Sequence, residues 1–145
     1  FHVVGMCIGG PYIMGLLRAV PQRFVSAVLL QPIGVDSNRQ AFYDMFDAWA
    51  AELAAEHPEA DDDVYEAFRS NMYDGDFMFN TTRDQVAAVQ TPLLLFMGSD
   101  LYHPESTSRE IAELAPNVEF VEQWKDDASL AATNETILSF LAART

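Results

Sequence analysis

The first ten residues of the chain, F-H-V-V-G-M-C-I-G-G (residues 1–10), decide how the rest can fold. An apolar strand runs into Gly5 and then into a cysteine with a glycine two residues away on either side, after which Gly10 and Pro11 open a helix. A side chain on such a strand-to-helix turn has strained backbone angles, and side chains at the glycine positions are expected to clash. The stretch therefore predicts a sharp turn with Cys7 at its tip.

The turn brings together two groups that could take part in catalysis. Cysteine is a nucleophile, and the amide of Ile8 would point, with the N-terminus of the following helix, at the place where an oxyanion forms. Cys7 is therefore the candidate nucleophile and Ile8 the candidate oxyanion donor. The alternative is that Cys7 is a small buried residue in a tight turn and reacts with nothing.

The composition limits the class of protein and its partners. The 145 residues are half hydrophobic, which is enough for one domain with a real core. Acidic side chains outnumber basic ones by 22 to 8, and a formal net charge of -14 repels phosphate backbones and anionic lipid. We therefore expect neither nucleic acid nor a membrane as a partner.

The single cysteine cannot form an internal disulfide, and no residues have the spacing of a zinc site. A reducing compartment, and so the cytoplasm, is the simplest expectation. No apolar run reaches the ~20 residues that span a bilayer. No cofactor and no metal is expected.

Short apolar runs predict a parallel sheet. Residues 25–30, 93–97 and 118–121 read as further strands, and a helix over residues 11–20 joins the first two strands in a right-handed crossover. Runs that are apolar on both sides are typical of central parallel strands covered by helices. Residues 11–20 are themselves apolar on nearly every face, which predicts a buried helix.

Two amphipathic helices are predicted between the second and third strands. Apolar side chains recur at helical spacing from Phe42 to Leu53 and from Val64 to Met72, and the acidic residues 61–63 mark the start of the second helix. Two interpretations stay open, because these side chains could line a pocket for an apolar acyl group or form a small core against the sheet. The side chains concerned are Phe42, Phe46, Trp49, Phe68, Met72 and Phe77.

Beyond the third strand, Gly98 allows a sharp turn into a loop that carries Asp100 and His103. This loop is expected at the same end of the sheet as Cys7. Thr107 and Glu110 have the T-x-x-E spacing of a capping box and predict the start of the next helix.

The motif G-M-C-I-G-G resembles the G-x-C-x-G-G of dienelactone hydrolases and polyhydroxyalkanoate synthases, which are α/β-hydrolases with cysteine in the nucleophile elbow. The likeness is strengthened by the strand before the motif and the helix after it. It is strengthened further by an acidic residue, Asp100, in the loop after the third predicted strand. The resemblance implies an α/β fold equivalent to the C-terminal half of that superfamily's fold, with about four parallel strands, flanking helices and a helical lid insertion. Residues 1–35 would carry the elbow strand, its helix and the next strand, residues 36–80 the lid, and residues 81–145 the remaining strands and helices.

The same resemblance implies that the parent protein, of which this chain is expected to be a fragment, is a hydrolase, or an acyltransferase, acting on an ester, thioester or lactone with a small apolar acyl group. Cys7 would be its nucleophile and Asp100 the acid that orients a base. The superfamily places its base histidine in the loop after the last strand, but residues 122–129 contain none. His103 is the remaining candidate base, the alternative being a surface residue that shapes the turn. His2 is expected in the core or at a sheet edge, and His57 is expected to be exposed.

Half a fold would leave the first strand without a neighbour on one side and would lack the loop that supplies the second oxyanion donor. An unpaired apolar edge is a template for association. We therefore expect two copies to pair through the strand of residues 1–5, or the missing half to be a separate chain or a lost segment. The alternative function of the parent protein is a catalytically degenerate α/β-hydrolase that serves as a binding or interaction module.

Overall fold

A computed structural model describes residues 1–144 and contains one four-stranded parallel sheet. The strands lie side by side in chain order, each hydrogen-bonded to the next. The predicted α/β class and parallel sheet are therefore confirmed. The strands are β1 (His2–Cys7), β2 (Ser26–Pro32), β3 (Leu93–Phe96) and β4 (Val118–Val121).

The described residues also form six helices, and a short 3₁₀ turn over Pro21–Arg23 separates the first of them from β2. Asp61 caps the third helix by accepting a hydrogen bond from the amide of Val64 at 3.1 Å, as the acidic run predicts. The helices are α1 (Gly9–Ala19), α2 (Arg39–Ala54), α3 (Asp62–Tyr73), α4 (Arg83–Ala87), α5 (Glu105–Leu114) and α6 (Leu130–Ala142).

The two faces of the sheet bury separate cores. Ile13 from α1 and Ile111 from α5 pack with Leu29 and Leu95 on one face. On the other face, Phe140 from α6 belongs to a core built from residues of β2 and β3 together with Trp124. Because β2 and β3 are covered on both sides, they contain only apolar side chains at their centres.

A third cluster joins α2 and α3 to the carboxyl end of the sheet, and we call it the aromatic cluster. Phe42 at its centre is fully buried, whereas Trp49 and Phe68 on its outer side stay nearly half exposed. The inner side chains thus form the core of one interpretation, and the outer ones line a groove; its use as an acyl pocket stays a prediction. The aromatic cluster consists of Ile33, Val35, Phe42, Phe46, Tyr73 and Phe79.

The predicted burial of the first helix is wrong on one side. In α1, Ile13 and Leu17 are buried against the sheet, but Tyr12 and Leu16 are about half exposed. A helix that is apolar on nearly every face is expected to have neighbours all round, but the main neighbours of α1 within residues 1–144 are β1 and β2, which cover one side of it.

The predicted capping box is also wrong. The helix that contains Thr107 begins at Glu105 with Pro104 as its N-cap, so Thr107 lies inside α5. Its side chain is buried there because it packs against Gly34 in the loop after β2. A complete capping box occurs instead at the start of α4, where Thr82 and Gln85 exchange both hydrogen bonds.

Candidate active site

The turn between β1 and α1 has the strained backbone that its sequence predicts. Cys7 has φ of 57°, in the left-handed region that residues other than glycine seldom adopt. In residues 1–144 the only other residue of this kind is Gln31, at φ 38°. Cys7 therefore stands at the tip of a sharp bend, and the bend confirms the predicted turn.

The three glycines around Cys7 differ in the space available for a side chain. A Cβ atom on Gly5 would lie 2.6 Å from Cδ1 of Ile13 and 3.1 Å from the Gly9 carbonyl group, and one on Gly10 would lie 2.6 Å from Cβ of Pro32. A Cβ atom on Gly9 would meet nothing within 4 Å. The expected clash is confirmed at Gly5 and Gly10 and is wrong at Gly9, which has room for a side chain.

We expect Cys7→Gly to be more stable than Cys7→Ala by about 1 kcal/mol, because glycine adopts a positive φ without strain. At Gly9, φ is not positive and a side chain has room, so alanine should be at least as stable as glycine there. Urea unfolding of the three variants measures both differences. Equal stability of Cys7→Gly and Cys7→Ala would contradict a strained turn.

The candidate oxyanion donor lies directly after the nucleophile. Ile8 occupies the N-cap position of α1, and its side chain makes no capping hydrogen bond. No side chain caps the first turn of α1, and the helix dipole favours negative charge at this end. Stabilisation of an oxyanion by the Ile8 amide is therefore a prediction that fits this position.

Asp100 and His103 form a close pair in the loop after β3. Nδ1 of His103 lies 2.6 Å from Oδ1 of Asp100, and the same oxygen accepts hydrogen bonds from the amides of Tyr102 and His103, each at 3.2 Å. The imidazole side chain is 12% exposed, and the backbones of Asp100 and His103 also pair across this turn, so the choice between a base and a residue that shapes the turn stays a prediction. Gly98 makes this turn possible, because a Cβ atom there would overlap the carbonyl oxygen of His103.

The Asp100 carboxylate is stabilised in its ionised form. Burial opposes ionisation, but the hydrogen bond and charge of His103 and the two amide donors outweigh it, so the pKa of Asp100 lies below its ordinary value. The carboxylate can therefore accept a hydrogen bond from an Nδ1–H group of His103, and in that tautomer Nε2 is an acceptor.

The lowered pKa of Asp100 predicts how stability changes with pH. Between the folded and unfolded pKa values the unfolded chain binds more protons, so the stabilisation is present above about pH 4 and is lost as pH falls through the folded value. We expect the unfolding free energy of the wild type to exceed that of Asp100→Asn at pH 6 and the difference to shrink toward pH 3. Urea titrations at both pH values measure it, and a difference that grows on acidification would contradict the assignment.

The candidate base is not hydrogen-bonded to the candidate nucleophile. Nε2 of His103 is buried and has no hydrogen-bond partner in the part of the chain that the structure describes. The two residues are nonetheless connected by the loop after β2. The amide of Ile33 donates to the carbonyl of Cys7 at 3.1 Å, and that of Gly34 donates to the carbonyl of Tyr102 at 3.4 Å. Cys7 and the Asp100 loop therefore share the carboxyl end of the sheet, as predicted.

One charged residue at this end was not predicted. Lys125, in the loop after β4, places Nζ 3.1 Å from Oε1 of Gln31 and 3.7 Å from Oδ2 of Asp100. Gln31 lies where the pairing of β1 with β2 is irregular. Lys125 could have been predicted from its position, because it lies in the loop after the last strand, where the superfamily carries its base histidine.

The other two histidines lie away from this arrangement, as predicted. His2 is on the edge strand β1 and its Nδ1 atom lies 2.8 Å from the Ser26 hydroxyl. His57 is about half exposed and pairs with Glu59 at 2.9 Å. Neither contacts Cys7 through a hydrogen bond in residues 1–144.

Comparison with solved structures defines the class of fold. The chain matches Rv0554 from Mycobacterium tuberculosis with a TM-score of 0.69 and 18% identity, over 99% of this chain and 66% of that one. It matches the putative non-heme bromoperoxidase BpoC from the same species (TM-score 0.63, 22% identity, 98% and 66% coverage). It also matches naproxen esterase from Bacillus subtilis (TM-score 0.58, 19% identity, 97% and 59% coverage). These neighbours are α/β-hydrolase superfamily members, and the chain has the fold of that superfamily.

The match covers nearly all of this chain but only about two thirds of each neighbour, which agrees with a partial α/β-hydrolase fold. No protein-family model matches the chain, and no curated protein does. Among residues 1–144, no helix combines the length and the hydrophobicity needed to cross a bilayer.

Proposed function

We propose that the chain carries the nucleophile of an α/β-hydrolase that cleaves an ester, thioester or lactone through Cys7. The observation that carries the proposal is the positive φ of Cys7 at the tip of the strand-to-helix turn, because such strain is typical of functional residues. The Asp100 and His103 pair at the same end of the sheet supports it.

The proposed reaction has two steps. His103 takes the proton of the Cys7 thiol, the resulting thiolate attacks the substrate carbonyl, the bond to the leaving group breaks, and His103 passes the proton to the departing oxygen or sulfur. Water then attacks the thioester, which yields a carboxylic acid and regenerates the thiol. Asp100 keeps the imidazole oriented in both steps. His103 is suited to this role because its Nε2 atom has no other partner in residues 1–144.

An apolar substrate is supported by the outer side of the aromatic cluster. Phe46 and Tyr73 belong to both that cluster, against which Cys7 packs, and an apolar groove of about 340 Å³ between α2 and α3. The neighbours include a naproxen esterase and Est816, described as an N-acyl homoserine lactone degrading enzyme. A small acyl or lactone substrate would reach the thiol from this groove. The groove is lined by Met45, Phe46, Trp49, Phe68 and Tyr73.

Trapping the covalent intermediate tests the proposed function. The protein is mixed with p-nitrophenyl butyrate, quenched in acid within seconds and examined by intact-mass and peptide mass spectrometry. We expect one butyryl group on the peptide that contains Cys7. Release of p-nitrophenol without any adduct on Cys7, or no reaction above the buffer rate, would overturn the proposal.

One observation favours a second candidate, a degenerate hydrolase that serves as a binding or interaction module. No imidazole bonds to the Cys7 thiol in the described residues, and the loop after β4 contains Lys125 instead of a histidine. Slow alkylation of Cys7 together with saturable binding of an apolar carboxylic acid would favour this candidate over the enzyme.

A nucleophilic thiol works only while it stays reduced, and the chain has a single cysteine. We therefore propose a cytoplasmic location. Cell fractionation with antibodies against the protein checks this location.

A further inference from the structure

Lys125, the only lysine in the chain, reaches across the carboxyl end of the sheet. It follows β4, yet its Nζ atom lies 3.7 Å from Oδ2 of Asp100 in the loop after β3. The same ammonium group donates a hydrogen bond of 3.1 Å to Oε1 of Gln31 in β2. Since β2, β3 and β4 are neighbours in the sheet, one side chain connects the ends of all three strands.

The two carboxylate oxygens of Asp100 have different partners. Oδ1 accepts hydrogen bonds from the amides of Tyr102 and His103 and lies 2.6 Å from Nδ1 of the imidazole. Within residues 1–144, the polar contact of Oδ2 is the ammonium group of Lys125. The terminal torsion of an aspartate side chain has a broad preference, so its partners determine how the carboxylate is turned. A cation at Oδ2 therefore helps to keep Oδ1 turned toward the imidazole.

Gln31 anchors the other contact of Lys125 beside the strand of the candidate nucleophile. Its neighbours Leu30 and Pro32 pair with consecutive residues of β1, so Gln31 is the extra residue of a bulge. Its φ of 38° is positive, and in residues 1–144 only Cys7 shares this property. Strained residues persist where their surroundings hold them, and they are typical of functional sites. The ammonium group thus joins the Asp100 loop to the strained bulge that lies beside β1.

We propose that Lys125 is a positioning residue, which orients the Asp100 and His103 pair and ties it to the bulge at Gln31. It acts through the Asp100 carboxylate and takes no proton from the substrate. Both members of the ion pair are exposed, at 42% and 45%, and such pairs stabilise a fold little. The contact therefore affects the orientation of the imidazole more than the stability of the protein. Its catalytic consequence rests on the function proposed above, whereas its effect on the imidazole does not.

The proton resonance of the Nδ1–H group of His103 tests the positioning without requiring activity. Lys125→Met removes the ammonium group and keeps a long side chain. We expect the resonance to be lost through exchange with water, because the Asp100 carboxylate is then free to rotate. Lys125→Arg keeps the charge and should retain the resonance. The matched control is Arg144→Met, which removes one charge from an ion pair with Glu119 near the amino end of β4 and should retain it too.

Hydrolysis of p-nitrophenyl butyrate tests the catalytic consequence. We expect Lys125→Met to lower kcat at least about tenfold with little change in KM, because a misplaced imidazole slows proton transfer without weakening the binding of an apolar substrate. Lys125→Arg should recover most of the loss, and Arg144→Met should match the wild type. Circular dichroism verifies that each variant is folded.

The two proposals fail by different results. An Nδ1–H resonance that is absent from the wild type or unchanged in folded Lys125→Met would overturn the positioning role. A wild-type kcat in Lys125→Met would overturn it as well, even if the wild type forms butyryl-Cys7 and so supports the proposed function. A wild type that forms no butyryl-Cys7 overturns the proposed function, and the resonance of His103 then decides the positioning role.

Discussion

Cys7→Ala is expected to abolish hydrolysis of activated esters, with a loss of at least about a thousandfold relative to the wild type. A residue that forms the covalent intermediate cannot be replaced by an inert side chain, because the reaction then has no nucleophile. The measurement is p-nitrophenol release from p-nitrophenyl butyrate at pH 7. Circular dichroism and urea unfolding verify that the variant is folded.

The control for Cys7→Ala is Gly9→Ala, which changes the same turn without removing the thiol. No heavy atom lies within 4 Å of the new Cβ position, so the turn should keep its shape and its activity. Retention of wild-type activity by Cys7→Ala would contradict the role of the thiol. Loss of activity in Gly9→Ala would instead mean that the site needs an unoccupied space at this position.

Gly98→Ala is expected to destabilise the protein by about 1–3 kcal/mol, the range for overpacking a filled site. The new Cβ atom would overlap the carbonyl oxygen of His103 and lie 2.7 Å from its Cβ, so backbone atoms would have to move. The movement should also separate the His103 and Asp100 side chains. Urea unfolding measures the first effect, and the proton resonance of the Nδ1–H group of His103 reports the second.

The same Gly9→Ala variant is a matched control here, because it adds one methyl group where space is free. If Gly98→Ala has the same urea midpoint as the wild type and its Nδ1–H resonance is unchanged, the Asp100 loop does not pack closely against the end of β3.

The parts of the fold that could be predicted depend on residues close together in the sequence. The sharp turn at Cys7 follows from Gly5 and Gly10, whose missing side chains leave room for neighbouring atoms. The strands β2 and β3 could be predicted because burial on both faces requires continuous apolar runs. The order of parallel strands then places Asp100 at the same end of the sheet as Cys7.

The predictions for α1 and Thr107 were wrong because contacts with residues distant in the chain determine burial at these positions. Whether Tyr12 and Leu16 are covered depends on what packs beside α1, which an apolar helix pattern does not reveal. Thr107 has the spacing of a capping residue, but it is buried against Gly34, and these two residues are far apart in the chain. Local spacing cannot predict such a contact.

The details of the candidate site depended on loops that meet only in the folded chain. Lys125 reaches Gln31 from 94 residues away, so no local pattern connects them. The burial of His103 depends on Gly98, which lets the His103 backbone approach closely. The sequence therefore identified Cys7, Asp100 and His103 as candidates, but the orientation of the imidazole and its lack of a bond to Cys7 required the structure.

The rate at which iodoacetamide alkylates Cys7 at pH 6 tests most directly whether the strained turn holds an activated nucleophile. An ordinary thiol with a pKa near 8.5 is almost fully protonated at this pH and reacts slowly. We predict a second-order rate constant well above that of glutathione under the same conditions. A rate constant equal to or below that of glutathione would contradict activation of Cys7.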